Sequence, residues 1–542
     1  MSFKLPSYGH SVFLFLVTAL LLLPGLNKID VNIMEARNFI SAREMVQNKK
    51  FLLTTLNNEP RYQKPPLPTW LTAASGAVFG FDSLFGLRLP VVAVTFLLVF
   101  VFFHFSKTMG LDSTHSLNNA LILITSFYIF FAGRDNQWDM YTHSFMMVSL
   151  FFIWKIFQEQ TNELRNSLLA ALFFGFSVLS KGPVSLYVLF LPFLISYALV
   201  YRIPFRRKGL YLLMMLFLGL AIGLSWYIYV RIKDPESFAS MASRETSNWT
   251  SYELKPVYYY WSFFLQSGLW AIASFTALLY PYLKSRVSNL KAYRFALLWT
   301  LFSLLLLSII PEKKIRYLVP VLIPLALTTG LYIEYLLRNF NEKMGKGEKT
   351  GIYFSFGIFA FIGLAYPFAL IFLLKDRLQQ HIFLFALSSL LIYICAFCTM
   401  KGLIIRRFEK VFYFMIALFI IVVNALIPLH KEFIFNPDYA STSKAQMIER
   451  QQGIKTYALA SVAPEIVWDF GKPVPLIRQN EGQIFLPADK KFGLIAARQD
   501  STILQSLDQD YQIEKIYQIN IHYKKKKKDR LIKDFYLITR KE

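Results

Sequence analysis

Apolar stretches of nearly uniform length recur along the chain, separated by short polar segments. A helix crossing a bilayer needs about 20 mostly apolar residues. Runs of that kind lie near 11–26, 88–106, 116–133, 140–158, 166–180, 184–201, 209–230, 257–283, 290–310, 317–337, 351–374, 380–400 and 411–428. The pattern predicts a mainly α, polytopic membrane protein with about 13 transmembrane helices over 1–428, and a long first outer loop over 27–87. Pro24-Gly25-Leu26 leads from the first run into more protein without a small-residue cleavage site, so that run reads as a helix and not as a cleaved leader. Past residue 429 the pattern changes. Short β-prone runs at Thr456–Ser461, Glu465–Phe470 and Phe492–Ala497 alternate with turn-rich stretches and one helical run near 501–510. They predict a small soluble α/β domain over 429–542.

Composition sharpens this picture. The 542 residues are 55% hydrophobic and 17% charged, against about 25% charged in soluble domains. That excludes a disordered chain, a collagen-like fibre and a disulfide-stapled module. Cys395 and Cys398 form a CxxC, but inside the apolar run Ile392–Met400 they read as small core residues and not as a redox or metal pair.

The formal charge of +24 would fit nucleic acid, yet most of the Lys and Arg lie in short loops between apolar runs. A nucleic acid partner is therefore not expected. The loops after the sixth, eighth, tenth and twelfth runs hold Arg202, Arg206, Arg207 and Lys208; Lys284, Arg286, Lys291 and Arg294; Arg338, Lys343, Lys346 and Lys349; and Lys401, Arg406, Arg407 and Lys410. Basic loops mark the cytoplasmic side. The N-terminus is then expected in the cytoplasm and the C-terminal domain outside. The Lys524–Lys528 run reads either as a solvated turn between strands or as a contact with lipid phosphates.

The loops expected to face outward hold the unusual polar residues. The first contains Asp30, Asn32, Glu35, Arg37, Arg43 and Glu44, then Arg61-Tyr62-Gln63-Lys64-Pro65-Pro66-Leu67. Paired prolines forbid a continuing helix and hold Lys64 in a rigid extended turn. Asp139 follows the third run, Lys181-Gly182-Pro183 follows the fifth, and Glu312-Lys313-Lys314-Ile315-Arg316-Tyr317 follows the ninth. Charges collected at one membrane face form a site more readily than a row of snorkelling side chains. Several cations with a few carboxylates suit a lipid-linked phosphosugar: Lys and Arg hold phosphate, and a carboxylate handles a hydroxyl proton or a sugar. The chain contains no Gly-rich phosphate loop, HExxH, GxSxG or paired CxxC.

In order along the chain, Glu35 to Arg37, Arg43 to Met45, Tyr62 to Leu67, Arg88-Leu89-Pro90, Asp139-Met140, Lys181-Gly182-Pro183 and Lys313 to Pro320 resemble the motifs of the bacterial GT-C fold membrane glycosyltransferases. The likeness is to the lipid A aminoarabinose transferases and the protein O-mannosyltransferases, and it covers about 10–340. It implies transfer of one sugar from a polyprenyl-phosphate donor, undecaprenyl phosphate in the first instance, to a lipid A-type, glycan or protein acceptor at the periplasmic face of the inner membrane. An inverting displacement is implied, with the lipid phosphate as leaving group. Lys64, Lys181, Lys313, Lys314 and Arg316 are implied to stabilise charge on that phosphate, with Tyr317 donating a hydrogen bond to it.

Two positions depart from the family pattern. Met34 stands where the family has an aspartate, and Gln63 where it has a glutamate. The acceptor base is then open between Glu35, Asp30 and no base at all, if the acceptor is already an anion. Asp139 is implied to order the acceptor or hold Lys64. Arg37, Arg43, Glu44 and Gln63 complete the candidates. No metal-ligand spacing occurs, so no cofactor is assigned and a divalent ion is left open. A flippase for a lipid-linked sugar and a non-catalytic scaffold are the competing readings. The first lacks the internal repeat common in transporters.

Overall fold

A computed structural model describes residues 7–340, 344–434, 436–477, 479–480, 483–484, 486–500, 504, 510–523 and 529–541. The chain divides into two compact units. One takes the residues up to Lys28, Tyr62–Pro68 and Arg88–Pro428; the other takes Ile29–Arg61, Thr69–Leu87 and the residues from Leu429 onward. Most of the long first loop thus clusters with the C-terminal residues.

The first unit is helical throughout, and all thirteen apolar stretches are helical over most of their length. By length and composition, seven described segments could cross a membrane, the last two being Lys346–Ile404, itself two helices joined by a tight turn, and Phe408–Phe433. Shorter apolar helices lie at Gly9–Leu22 and Leu186–Val200.

Three of the stretches are interrupted where the sequence obstructs helix geometry. Ser126 is extended and splits Ser113–Thr125 from Phe127–Ala132. Pro192 offers no N–H to the turn before it, and the chain there runs as a π turn over Leu186–Phe190. Between 257 and 283 the chain runs as two 3₁₀ segments and two short α segments, and inside the second 3₁₀ segment Gly268 leaves helical geometry at φ 61°. A Cβ on Gly268 would lie 2.3 Å from the Phe127 ring, so neither the backbone nor the space admits another residue.

Two buried arginines brace the end of the first helix. Arg134 donates to the carbonyls of Leu21 and Pro24 at 2.7 Å and of Leu22 at 3.0 Å, and Arg88 donates to Leu26 at 2.7 Å. These carbonyls have no partner within the helix, so charge-assisted donors satisfy them. The arginine of Arg88-Leu89-Pro90 is therefore structural.

The second unit is built on a mixed five-stranded sheet. Lys455–Leu459 lies parallel to both Leu476–Ile477 and Lys491–Ala496. Ile532–Arg540 pairs antiparallel with Lys491–Ala496 on one side and with Tyr511–Asn520 on the other. One face buries Ala458, Ile466, Val474, Ile495 and Phe535; the other buries Leu459, Ile477, Phe492, Leu494 and Ile538. That alternation follows the two-residue period of a strand covered on both sides.

The β-prone run Glu465–Phe470 is not a strand. It forms the helix Pro464–Asp469, because Pro464 suits a first helical position and Ile466 packs into the core against the sheet. The run expected as a helix near 501–510 falls almost wholly outside the described residues, and Lys524–Lys528 falls wholly outside them.

Helix Ile33–Asn48 also belongs to this unit, capped by the Asn32 side chain on the N–H groups of Met34 and Glu35. After it, Asn57 and Asn58 turn a short hairpin at φ 58° and 62°. Asn57 then exchanges two hydrogen bonds with the Val474 backbone, at 2.7 and 2.6 Å. Two further helices, Leu67–Phe79 and Pro235–Ser251, begin at or just after prolines and were not expected from the apolar pattern.

Candidate active site

The cation cluster lies in the first unit and is assembled from helix ends. Asp139 sits in the first turn of Trp138–Gln158, and Lys181 is the last residue of Glu163–Lys181. The two helices pack together with these ends adjacent, and Lys181 donates directly to Asp139. Their side chains are 8% and 2% exposed. A buried charge of either sign is tolerated only when paired. Gly182, at φ 83°, ends the second helix and lets the chain turn away immediately.

Residues 311–317 supply the rest. Lys181 Nζ lies 4.6 Å from the centre of the Tyr317 ring. Tyr317 donates from its hydroxyl to Glu312 at 3.0 Å, and Lys314 Nζ donates to the same carboxylate oxygen at 2.5 Å. Arg316 interacts electrostatically with both Asp139 and Lys181. Its Nε and the second oxygen of Asp139 are buried without a hydrogen-bond partner. Burial pushes the Glu312 carboxyl up, but Lys314, the Tyr317 hydroxyl and Lys64 together hold it below its ordinary value. Glu312 is therefore an anion that the cations share.

The loop is held by an earlier segment of the chain, 252–260. Leu254 and Glu312 form an antiparallel bridge, flanked by Lys255 N–H to Pro311 and Lys313 N–H to Glu253. Tyr260 accepts from the Lys314 N–H at 2.9 Å and donates to the Lys314 carbonyl at 3.0 Å. The Tyr252 ring lies 4.6 Å from Lys314 Nζ. Tyr252, Tyr260 and the role of Glu312 were missed from sequence. The aromatic run Tyr258-Tyr259-Tyr260 next to Pro256 was the only available signal.

Lys313 departs from its expected role. It is 2% exposed, and its ammonium donates to the carbonyls of Ile310 at 2.6 Å and Lys255 at 3.1 Å. Those bonds clamp the loop, so Lys313 is a brace where a phosphate ligand was expected. Lys64, in the Tyr62–Pro68 segment of the same unit, is near enough to Glu312 to act on its carboxyl. That segment is fixed by Tyr62, which donates to Asp234 at 2.7 Å; this bond lowers the Asp234 carboxyl, and burial and Asp234 raise the Tyr62 phenol. Gln63 keeps its side-chain oxygen buried without a hydrogen-bond partner. Lys64, Asp139, Lys181, Lys314, Arg316 and Tyr317 are thus brought together.

The first-loop candidates Asp30, Glu35, Arg37, Arg43 and Glu44 belong to the second unit. Arg43 donates to Gly471 at 2.6 Å and lies over the Trp468 ring, and burial lowers its pKa. Glu44 accepts from the Thr55 hydroxyl at 2.5 Å and the Asn58 N–H at 3.2 Å. Both hold helix Ile33–Asn48 within its own unit. Asp30 lies 3.6 Å from His430. Arg37 reaches the Met34 sulfur at 4.0 Å. Glu35 is buried in the first turn of its helix. Among the described residues no group of three or more His, Cys, Asp or Glu could hold a metal ion.

Comparison with known proteins groups this geometry. Residues 63–227 match the family described as dolichyl-phosphate-mannose-protein mannosyltransferase. The chain is 24% identical over 346 residues to an undecaprenyl phosphate-alpha-4-amino-4-deoxy-L-arabinose arabinosyl transferase of Shewanella sediminis, covering 60% of this chain and 59% of that protein. It is 23% identical to the corresponding transferase 1 of Proteus mirabilis, over 60% and 59%. The match thus spans about three fifths of these relatives' length. In three dimensions the chain superposes on the ArnT crystal structure from Cupriavidus metallidurans bound to undecaprenyl phosphate with a TM-score of 0.70, covering 97% of each chain at 16% identity. The fold is the same.

Proposed function

We propose that this chain, which groups with the ArnT family by sequence similarity and by its GT-C fold, transfers a single sugar from a polyprenyl-phosphate donor to an acceptor at the outer face of the bacterial inner membrane. One observation carries the reading. Lys181, Lys314 and Arg316 gather around the carboxylates of Asp139 and Glu312 in a largely buried cluster at helix ends, and Lys64 also acts on Glu312. Such a surplus of positive charge away from bulk water calls for an anion, and a lipid phosphate is the anion a membrane delivers. The solved ArnT holds undecaprenyl phosphate, which supports the same reading here.

The chemistry follows from the charge distribution. As the bond from the anomeric carbon to the phosphate oxygen breaks, negative charge grows on the phosphate. Fixed ammonium and guanidinium groups stabilise that charge more than the ground state. Arg316, with an unpartnered Nε, has a donor ready for a phosphate oxygen. Lys314 is free to exchange Glu312 for phosphate, because its carboxylate partner is also held by Tyr317. Asp139 orients Lys181, and the incoming acceptor oxygen attacks from the face opposite the leaving phosphate, inverting the carbon. The acceptor classes are lipid A-type, glycan and protein hydroxyls.

The test uses purified protein in nanodiscs with a polyprenyl-phosphate sugar, following release of polyprenyl phosphate. Lys314→Ala and Arg316→Ala are expected to cut turnover by more than about tenfold, since a charge-assisted contact contributes roughly 1.5–3 kcal/mol. Lys313→Met is expected to lower thermal stability with a smaller effect on donor binding. Unchanged turnover in both Lys314→Ala and Arg316→Ala would remove the cluster from the donor site. No release by the wild type from any polyprenyl-phosphate sugar would overturn the transferase reading.

A further inference from the structure

A second site lies at the other end of the same helices. Leu290–Ile309 is 20 residues long and ends beside the 311–317 loop, so at about 1.5 Å per residue its start lies roughly 30 Å away. Val319–Asn339 likewise runs from Tyr317 to Arg338 over 21 residues. Arg286, Arg338 and Glu348 meet at this far end: Arg286 pairs with Glu348 at 3.0 Å, and Arg338 donates to the Arg286 carbonyl at 2.9 Å. Here a groove of about 300 Å³ opens, lined by Ala273, Tyr282, Tyr332, Gly347, Gly351 and Ser355 among others.

Three features show that the groove is built to hold something. Gly347, Gly351 and Ser355 follow one another at four-residue spacing on Lys346–Leu374, and a Cβ on either glycine would meet nothing within 4 Å. The glycines therefore leave a trough, not a packed helix contact. Ser355 lines it, is 3% exposed, and its hydroxyl has no hydrogen-bond partner. In an apolar setting that donor requires an acceptor. Lysines adjoin the lining in sequence: Lys284 lies two residues after Tyr282, Lys346 precedes Gly347 and Lys349 follows Glu348, with Lys284 and Lys346 exposed and Lys349 half-buried, while the lining carboxylate of Glu348 is paired with Arg286.

We propose that this groove binds an anionic glycerophospholipid. The glycerol backbone lies in the trough along Gly347 and Gly351, the Ser355 hydroxyl donates to an ester carbonyl, an acyl chain continues inward past Phe356, and Lys284, Lys346 and Lys349 face the phosphate at the rim. The depth fits. Ser355 lies six residues below Lys349, or about 9 Å along the helix, which places an ester below a phosphate. Basic pockets between helices at a membrane surface hold anionic headgroups by this charge pattern. The site is one bilayer-length from the sugar-transfer cluster and stands whether or not that cluster is catalytic.

Native mass spectrometry of the purified full-length protein, after delipidation and titration with phosphatidylglycerol or phosphatidylcholine, tests this. The wild type is expected to retain one phosphatidylglycerol at least tenfold more strongly than phosphatidylcholine. Gly351→Leu fills open space and leaves the helix intact, so it should abolish that retention without lowering the melting temperature in lipid-free detergent. Lys346→Glu with Lys349→Glu should erase the preference for the anionic lipid while acyl binding persists. Equal retention by wild type and Gly351→Leu would overturn the proposal, as would equal retention of the two lipids by the wild type. Displacement of the retained lipid by stoichiometric undecaprenyl phosphate in a Lys314→Ala, Arg316→Ala background would also overturn it, by showing that the groove takes the donor.

Discussion

Lys313 and Lys314 are neighbours in sequence with opposite employments, one satisfying two buried carbonyls and the other facing Glu312 and Tyr252. Sequence could mark both as cations near a membrane face, but which of two adjacent side chains turns inward depends on the bridge between 253–255 and 311–313, a pairing no local pattern announces. The same limit applies to Arg43 and Glu44, which read as site residues because they are charged and close together, yet are spent on Gly471, Thr55 and Asn58. Glu44 gives a test at this scale. Burial, its largest influence, raises its carboxyl above the ordinary 4.5 despite the hydrogen bonds from Thr55 and Asn58. The folded unit therefore holds the proton more tightly than the unfolded chain. Its contribution to stability is full below pH 4.5 and is lost as pH rises through the raised value. Thermal unfolding of Glu44→Gln and wild type, compared at pH 4.5 and 7.5, should show the variant gaining relative stability at the higher pH. A difference between the two proteins that does not change with pH would contradict this.

At the scale of elements, the apolar runs located the helices because a bilayer-facing helix needs little but length and hydrophobicity. Their interruptions were harder to read. The run 257–283 looks continuous, but Gly268 stands at φ 61° against Phe127 and breaks it into short segments. Gly268→Ala is expected to destabilise the protein by about 1–3 kcal/mol, from the strained backbone and the ring it displaces. A melting temperature in detergent equal to wild type would show that the break is not needed. In the second unit the pattern erred in both directions. Glu465–Phe470 has strand composition but folds as a helix behind Pro464, while the two longest described strands, Tyr511–Asn520 and Ile532–Arg540, were legible only as the strands on either side of the Lys524–Lys528 run, because charged residues alternate through them.

For the whole molecule, the spacing of charged clusters defines two membrane faces. The ends of Leu290–Ile309 and Val319–Asn339 put Lys255 and Glu312 on one face and Arg286, Arg338 and Lys346 on the other. By the charge rule, the basic loops predict that the face carrying Arg286, Arg338 and Lys346 is the cytoplasmic one. With Cys395 and Cys398 replaced, an impermeant thiol reagent added to intact cells should label Lys255→Cys and spare Lys346→Cys. Labelling of both from outside would dissolve the two-face arrangement, and labelling of Lys346→Cys alone would invert it.

The double hydrogen bond between Asn57 and Val474 joins residues 417 positions apart. A ribosome adding about 5–20 residues per second needs roughly 20–80 s to travel between them. Helix Ile33–Asn48 and its hairpin are made long before the partners of Arg43 and Asn57, which lie more than four hundred residues further along the chain. During synthesis the early segment therefore waits with its polar groups in water or in the grip of a chaperone, and its final shape is set by the end of the message. A chain stopped before Gly471 has every apolar run of the membrane unit and still lacks the backbone that fixes its beginning.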